Sequence, residues 1–235
     1  SKGPPFFLTK IHFRFRYIYM RVKISVPNDL SEIKLSQYQN FLNIQKENPD
    51  ENYLASKMIE IFCGIELKEA YKMKAKDVHR ITGILADMFE QKPVLINRFK
   101  LNGVEYGFIP NLDDMTLGEY VDLDTYLPKW EEMEKAMAVL YRPIKNTYMG
   151  KYQIEDYTAQ GQEVYKDMPM SIVFGAMFFF YRLGIDLSKI MTVYLEQNKE
   201  IHTQLSHNLD KNGDGINQFM HSLKGILEDL KISLN

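Results

Sequence analysis

One segment near the C-terminus has the residue types and the spacing of a calcium-binding loop. Asp210, Asn212 and Asp214 would place oxygen ligands at positions 1, 3 and 5 of an EF-hand loop, and Gly215 follows at position 6. The pattern then fails, because His221 stands at position 12, where a bidentate carboxylate should complete the coordination. We therefore interpret this segment as a polar turn between two helices, and we expect no metal and no cofactor.

A second group of candidate residues consists of carboxylates around one predicted helix. A pair of carboxylates could serve as general acid and general base. Acids near the first turn of a helix are also favoured by the helix dipole, which is the interpretation we prefer. The group contains Asp113, Asp114, Glu119, Asp122 and Asp124.

The histidines and the cysteine do not form a recognisable site. The five histidines have no metal-ligand spacing on one helical face, and His202 and His207 point away from each other on a helix. A single cysteine, Cys63, excludes an intrachain disulfide, and its apolar neighbours Ile61 and Phe62 indicate a buried thiol. The sequence also lacks a glycine-rich phosphate loop and a nucleophile elbow. We therefore predict no catalytic residues and a protein that is not an enzyme.

The N-terminal segment carries a strong positive charge, although the whole chain has a net charge of -2. Residues 1–28 contain no acid, and we interpret residues 1–20 as a basic aromatic arm that packs on a neighbouring subunit. The alternative is a contact with nucleic acid. That contact would use Arg14, Arg16 and Arg21.

The alternation of residue types from Ile11 to Val26 predicts that this arm contains a β-strand. A natural start of the chain at Met20 is a third interpretation, because the composition changes there. Basic residues interrupt the apolar run that a signal peptide would need. The longest apolar run, Ile172 to Tyr181, is about half the length of a membrane-spanning helix. We expect no membrane association.

Two stretches of the chain repeat the same pattern. Residues 22–41 and 104–123 align at an offset of 82 positions, with a period of two at the start of each and apolar residues at equivalent positions afterwards. The pattern predicts an internal duplication of a strand, a polar turn and a capped helix. The predicted capping boxes are Ser36 with Gln39 and Thr116 with Glu119.

The remaining patterns predict mostly helices and one hairpin. Asn102-Gly103, between the apolar stretches 94–101 and 104–109, predicts a β-hairpin with a type I′ turn, and the strand at residues 22–26 is expected to join its sheet. Residues 144–166 are weakly patterned and are expected to form a long loop with at most one short helix. The predicted helices cover residues 51–63, 66–74, 77–90, 130–141, 170–183, 187–207 and 216–230.

These elements define an α+β protein that is predominantly α-helical with a small hairpin-based sheet. We divide the chain into the arm, a first repeat with helices at 21–93, a hairpin and second repeat at 94–166, and C-terminal helices at 167–235. With 235 residues, of which 45% are hydrophobic, residues 21–235 are expected to form one globular unit.

Two apolar helices are candidates for protein contacts. The helix from Met170 to Leu183 is apolar nearly all round, which places it in a core or in a subunit interface. The last predicted helix has an apolar stripe that is typical of a core or of a docking surface. The candidate interface residues are Phe174, Phe178, Phe179, Tyr181, Phe219, Leu223 and Leu227.

Several stretches resemble a group of small tailed-bacteriophage proteins. The densest similarity covers residues 99–112, F-K-L-N-G-V-E-Y-G-F-I-P-N-L, and residues 115–123, M-T-L-G-E-Y-V-D-L. Residues 138–144, A-V-L-Y-R-P-I, and the stretch from Met168-Pro169-Met170 to residues 178–181 are similar to later parts of the same group. These proteins occur among head, tail and assembly genes, particularly in phages of the Bacteroidetes, including crAss-like phages.

The resemblance implies a non-catalytic structural or assembly protein, such as a tail assembly chaperone, and it implies no catalytic residues. It spans residues 22–185. The expected partners are other phage structural proteins in a homo-oligomer or multi-copy assembly, in the virion or in the host cytoplasm during assembly. The alternatives are a cargo protein packed inside the virion and ejected with the genome, and a phage nucleic-acid-binding factor that uses the basic arm.

Overall fold

The computed structural model describes residues 12–14 and 23–197, with side chains for residues 24–186. Most of this part of the chain is helical, and its larger sheet has four antiparallel strands. The predicted α+β class, predominantly helical with a small hairpin-based sheet, is therefore confirmed. The chain forms two compact units, unit 1 from Ser1 to Gln91 and unit 2 from Lys92 to Asn235.

Unit 1 combines a short two-stranded sheet with a group of helices. Strands β1 and β2 are antiparallel, with Phe13 opposite Ile24. A 3₁₀ helix at Leu30–Glu32 follows β2. The elements are β1 (His12–Arg14), β2 (Lys23–Ser25), α1 (Leu35–Glu47), α2 (Glu51–Cys63), α3 (Leu67–Ala70) and α4 (Ala75–Phe89).

The pairing of β1 with β2 corrects two predictions about the N-terminal region. A single strand from Ile11 to Val26 is wrong, because the two ends of that range pair with each other in antiparallel orientation. The strand at residues 22–26 does not join the hairpin sheet, since that sheet contains only four later strands. Arg16 and Arg21 lie outside the described residues, and Arg14 is described only as part of the β1 backbone.

Aromatic rings form the core between the helices of unit 1. The ring of Phe89 lies 5.2 Å from that of Tyr38 and 5.2 Å from that of Phe62, which joins α1, α2 and α4. Helix α2 has its predicted bounds because Asp50 caps its start, accepting from the Tyr53 N–H at 2.7 Å, and Gly64 ends it with a φ of 67°. Cys63 is half-buried, and burial raises the pKa of its thiol to about 12.

Unit 2 is built around the four-stranded sheet, whose strand order follows the chain order. Three 3₁₀ helices, Leu112–Asp114, Trp130–Glu132 and Gln162–Asp167, connect the larger elements. Those elements are β3 (Arg98–Leu101), β4 (Val104–Phe108), α5 (Leu117–Tyr126), α6 (Met133–Leu140), β5 (Tyr141–Tyr148), β6 (Lys151–Ile154) and α7 (Met170–Gln197).

The predicted hairpin is confirmed in its turn type. Strands β3 and β4 are joined by Asn102 with a φ of 50° and Gly103 with a φ of 84°. Two consecutive positive φ angles define the type I′ turn, whose twist matches that of the flanking strands.

The prediction of a loop is wrong for the first part of residues 144–166, because a second hairpin, β5 and β6, occupies it up to Ile154; the short helix allowed in this range corresponds to the 3₁₀ helix Gln162–Asp167. The helix predicted to reach Tyr141 ends one residue earlier, and the chain enters β5 directly.

Strand β5 is an inner strand of the sheet and contains Pro143 near its start. Proline is tolerated there because the pairing of β5 with β6 ends at this position. The Pro143 carbonyl accepts from the Glu155 N–H at 2.9 Å, one residue past the end of β6, so the missing proline N–H falls where that ladder ends.

Helix α7 is longer than the sequence predicted. It begins after Pro169, whose carbonyl accepts from the Ile172 N–H at 3.0 Å, and it continues through Gly184 to Gln197. The prediction that Gly184 ends the helix is therefore wrong, since a glycine inside a helix costs only about 1 kcal/mol. The predicted helix at 216–230 and the loop containing Asp210, Asn212 and Asp214 lie outside the described residues. Within the part of the chain that the structure describes, no helix has the length and hydropathy of a membrane span.

The two copies of the repeat build the same series of elements at the predicted offset. In each copy a short polar side chain starts the 3₁₀ helix: Asp29 accepts from the Ser31 N–H at 2.7 Å, and Asn111 accepts from the Asp113 N–H at 3.2 Å. The α-helix then begins at Leu35 in the first copy and, 82 residues later, at Leu117 in the second.

The caps of these two helices differ from the prediction in one copy. Thr116 and Glu119 form the predicted capping box at the start of α5. The predicted box of Ser36 with Gln39 is wrong, because α1 already begins at Leu35. Instead, Gln37 accepts from the Lys34 N–H at 2.9 Å.

Candidate functional site

Polar side chains of unit 2 line a cleft of about 700 Å³, here called the polar cleft. Its walls come from the segment after β4, the first turn of α5, strands β5 and β6, and the segment after β6. The lining residues that carry charge are Asp114, Glu119, Arg142, Lys145, Glu155 and Asp156.

A buried ion pair lies in the wall of the polar cleft. Arg142 Nη1 donates to Glu119 Oε1 at 2.6 Å, and only 11% and 6% of the two side chains are exposed. The capping box fixes the carboxylate, because Glu119 Oε2 accepts from the Thr116 N–H at 2.6 Å. Arg142 lies on β5 opposite Gly107 of β4. The pair therefore ties the start of helix α5 to the sheet.

The surroundings of Glu119 favour its ionised form. Burial alone raises the pKa of this carboxyl, but the hydrogen bonds from Thr116 and the positive charge of Arg142 outweigh burial, so the pKa is lowered. A general acid needs the opposite shift. Arg142 Nε is buried and has no hydrogen-bond partner among the described residues. The lowered pKa therefore disfavours a role of Glu119 as general acid.

The lowered pKa of Glu119 predicts an acid-sensitive contribution to stability. This contribution is fully present above the ordinary carboxyl pKa of 4.5 and is lost as pH falls through the lower folded-state pKa. We expect the difference in unfolding free energy between the wild type and Glu119→Gln to be constant from pH 7 to about pH 5.5 and to shrink below pH 4.5. Urea titrations of both proteins at pH 7 and pH 3.5 would measure this difference in unfolding free energy. A difference that is the same at both values would contradict the assignment.

Of the other carboxylates of the predicted cluster, Asp114 lines the polar cleft together with Glu119. Asp122 accepts a hydrogen bond from the Tyr157 hydroxyl at 2.8 Å. Burial and this carboxylate raise the pKa of Tyr157. Asp113, Asp114 and Asp124 are exposed. Among the described residues there is no group of three or more His, Cys, Asp or Glu side chains that could hold a metal ion.

Two residues that organise this region are not indicated by the sequence patterns. Arg142 has no local signal for its ion pair with Glu119, which is distant in the sequence. Tyr152 was placed in a loop, yet its hydroxyl donates to the Phe108 carbonyl at 2.8 Å and its ring covers Gly107. A Cβ on Gly107 would collide with that ring. Gly107 on β4 and Tyr152 on β6 are separated by β5 in the sheet, so their contact can be recognised only once the strand order is known.

A second cavity of about 780 Å³, here called the aromatic groove, lies between residues 92–95 and α7 in unit 2. Its floor depends on Gly175, where an added Cβ would lie 2.6 Å from the Val94 carbonyl oxygen. The Val94 side chain is 77% exposed. Apolar residues dominate the lining: Pro93, Val94, Leu95, Phe178, Phe179, Tyr181, Leu183 and Ile185. Charged side chains of Lys92, Arg182 and Asp186 also line it.

The structure separates the predicted interface residues into two groups. Phe174 is fully buried, with its ring 6.1 Å from that of Trp130, so it belongs to the core of unit 2. Phe178, Phe179 and Tyr181 line the aromatic groove. Phe219, Leu223 and Leu227 lie outside the described residues.

Comparisons of this chain with protein-family models, with curated proteins and with solved structures find no match.

The two cavities of unit 2 differ in chemistry. In the polar cleft, Glu119 forms an ion pair with Arg142, and Lys145 Nζ lies 3.3 Å from Asp156 Oδ2. The aromatic groove offers mainly apolar surface.

Proposed function

We propose that this protein acts without catalysis, through protein–protein contacts, as a structural or assembly protein of a tailed bacteriophage. Its partners are other structural proteins of the same phage, and it works in the virion or in the host cytoplasm during assembly as part of a multi-copy complex. The observation that carries this proposal is the aromatic groove, which contains three of the residues selected from the sequence as interface candidates.

The shape of the groove supports a polypeptide partner. Protein interfaces place aromatic side chains in a central apolar region and polar groups at the rim. In the groove, Phe178, Phe179 and Tyr181 supply the aromatic surface, and Lys92 and Arg182 supply positive charge. Phe179 is held by its own contacts, with its ring 5.6 Å from that of Phe108, so the surface is organised before a partner arrives.

The polar cleft supports the non-catalytic part of the proposal. An enzyme site needs an ionisable group whose pKa is tuned toward the working pH. Glu119 is shifted the other way, since its pKa is lowered and its charge is neutralised by Arg142. The phage-like resemblance is densest at residues 99–123, which form the first hairpin of unit 2 and the start of α5.

The role of the aromatic groove in protein contacts is tested by one substitution that should leave the fold intact. Val94→Asp places a charge in the apolar groove on a side chain that is 77% exposed. We expect it to lower the recovery of phage structural proteins with tagged protein from infected cells by at least about tenfold, the effect of losing about 1.4 kcal/mol at an interface. Quantitative mass spectrometry of the purified complexes measures this ratio.

The matched control is Val104→Asp, an exposed valine of the same unit that does not line the groove. It should leave the recovery unchanged. Equal recovery with both variants would contradict the role of the groove. Mass spectrometry of purified mature particles would then separate the two forms of the proposal, because a virion component is present in fixed stoichiometry and an assembly chaperone is absent.

A further inference from the structure

Strand β6 is an edge strand of the four-stranded sheet in unit 2. The N–H of Glu155, directly after β6, donates to the Pro143 carbonyl of β5 at 2.9 Å. Backbone groups point to alternate sides along a strand, so those of Tyr152 and Ile154 point away from β5. Among the described residues, no strand pairs with this outer side of β6. The edge therefore offers hydrogen-bonding groups to a further strand.

The part of the sheet that carries this edge is a two-stranded ribbon. Strand β4 pairs with β5 only from Tyr141 to Pro143, whereas β6 pairs with the later part of β5, from Ile144 to Tyr148. All side chains of residues 145–148 are exposed, so the described residues cover neither face of the ribbon there. An isolated two-stranded hairpin is only marginally stable in water, and additional strands stabilise it. A strand added at β6 would therefore stabilise the ribbon.

The charges of β6 are complementary to those of a second β6 strand in antiparallel orientation. Lys151, Gln153 and Glu155 share one face of the strand and are exposed. A two-fold axis at Gln153 would place Lys151 of each copy opposite Glu155 of the other. Within the described residues, neither of these two side chains forms an ion pair. The same axis would align the outward backbone groups of Tyr152 with those of Ile154 in the second copy, so that the two residues exchange both of their hydrogen bonds.

The opposite edge of the sheet, β3, does not suit such a pairing. Leu101 lies opposite Val104 across a two-residue turn, so the backbone groups of Arg98 and Lys100 point away from β4. Each antiparallel register that aligns these groups between two β3 strands places a basic residue opposite a basic residue. Like charges directly opposite each other destabilise a strand pair. Only one edge of the sheet is therefore suited to a second copy, and a two-fold pair through that edge is closed.

We propose that β6 pairs with β6 of a second copy of this chain, in antiparallel orientation around a two-fold axis at Gln153. The two sheets then form one continuous sheet. The backbone groups of Tyr152 and Ile154 hold the copies together, and the contacts between Lys151 and Glu155 select the register, since exposed ion pairs contribute little to affinity. This inference does not depend on the aromatic groove, so either proposal can fail without the other.

The first test reverses the charges in the full-length chain. Lys151→Glu and Glu155→Lys each place like charges opposite each other at both ends of the strand pair. We expect either variant to raise the dissociation constant of the dimer at least about tenfold. The double variant Lys151→Glu/Glu155→Lys restores opposite charges and should return the constant to within about threefold of the wild type. Sedimentation velocity over a range of concentrations measures these constants.

The matched control for the charge reversal is Lys100→Glu, an exposed lysine on the opposite edge of the same sheet. It should leave the dissociation constant unchanged. A wild-type chain that stays monomeric at every concentration would overturn the proposal. A double variant that dimerises as weakly as the single variants would overturn it too, and so would a dimer that Lys100→Glu weakens as much as Lys151→Glu.

The second test is a disulfide across the two-fold axis. Residues opposite each other in a non-hydrogen-bonded pair have Cα atoms about 4.5 Å apart, which is within disulfide range. We therefore expect Gln153→Cys to form covalent dimers under mild oxidation, linked through position 153 in peptide mass spectrometry. The control is Asn146→Cys, since Asn146 lies opposite Gln153 on β5 and is one strand further from the axis. It should form at least about tenfold fewer dimers.

The two cysteine variants disturb the fold to the same extent. Each removes the same hydrogen bond, which Asn146 donates to Gln153 at 3.0 Å. Unaltered fluorescence of Trp130, the sole tryptophan, would show that unit 2 remains folded in both. The wild type measures any dimer formed through Cys63. Equal linking in the two variants, or dimers of Gln153→Cys that are linked only through Cys63, would overturn the proposal.

Discussion

Replacing Glu119 with alanine is expected to lower the free energy of unfolding of unit 2 by about 3–5 kcal/mol. The substitution leaves the Arg142 guanidinium buried without its counter-charge, and Arg142 Nε already has no partner among the described residues. It also removes the acceptor for the Thr116 N–H at the start of α5. Urea denaturation followed by the fluorescence of Trp130, which is buried in the same unit, measures the change.

The first repeat supplies the control for this prediction. Gln37 stands at the position of Glu119 and performs the same capping with a neutral side chain, accepting from the Lys34 N–H at 2.9 Å. Glu119→Gln keeps that acceptor and removes only the charge, so we expect a smaller loss than in Glu119→Ala, about 1–3 kcal/mol. A loss in Glu119→Ala within about 0.5 kcal/mol of zero would show that the pair is not needed.

Substituting alanine for Gly175 is expected to destabilise unit 2 by about 1–3 kcal/mol, although alanine is the better helix former. The added methyl would lie 2.6 Å from the Val94 carbonyl oxygen and 3.2 Å from its carbon. Both are backbone atoms, which cannot turn away as a side chain does. Either α7 or the segment carrying Val94 has to move, and the aromatic groove changes shape with it.

The matched control is Gly83→Ala in the middle of α4. Gly83 is exposed and has nothing within 4 Å of its Cβ position, so the same substitution should stabilise unit 1 by about 0.5–1 kcal/mol. Hydrogen exchange of the α4 amides reports on unit 1, and Trp130 fluorescence reports on unit 2. Effects of the same sign at the two glycines would contradict the close approach of Val94 to α7.

The elements that were predicted well from the sequence are those that short motifs mark at the ends of a helix or at the turn of a hairpin. Helix α2 has a capping aspartate and a terminal glycine, and the first hairpin has Asn102-Gly103 at its turn. The second hairpin has only part of this signal, because Gly150 adopts a φ of 78° in the turn but no asparagine or aspartate precedes it. Its turn uses Met149 at a φ of 47°, a residue type that rarely adopts this conformation, and its strands are largely exposed. Sequence patterns detect strands through burial, so this hairpin was taken for a loop.

The candidate site could be predicted only in part, because one contact of Glu119 is local in the sequence and the other depends on strand pairing. Glu119 was recognised as a capping acid, because its partner Thr116 is three residues away. Its ion pair with Arg142 depends on the pairing of β4 with β5, which brings together segments separated by α5 and α6. The bounds of α7 show the limit of single residues as signals, because Gly184 was expected to end a helix that continues to Gln197.

The order of strands in the sheet has a consequence for folding. Each hairpin closes a short loop, which takes about 1–10 μs, whereas pairing of β4 with β5 also has to close the intervening segment of residues 109–140, which costs more conformational entropy. The fit of Tyr152 over Gly107 forms only at that later step. We therefore expect the first hairpin to form before β5 pairs with it, and until then β4 presents an unpaired edge to other chains.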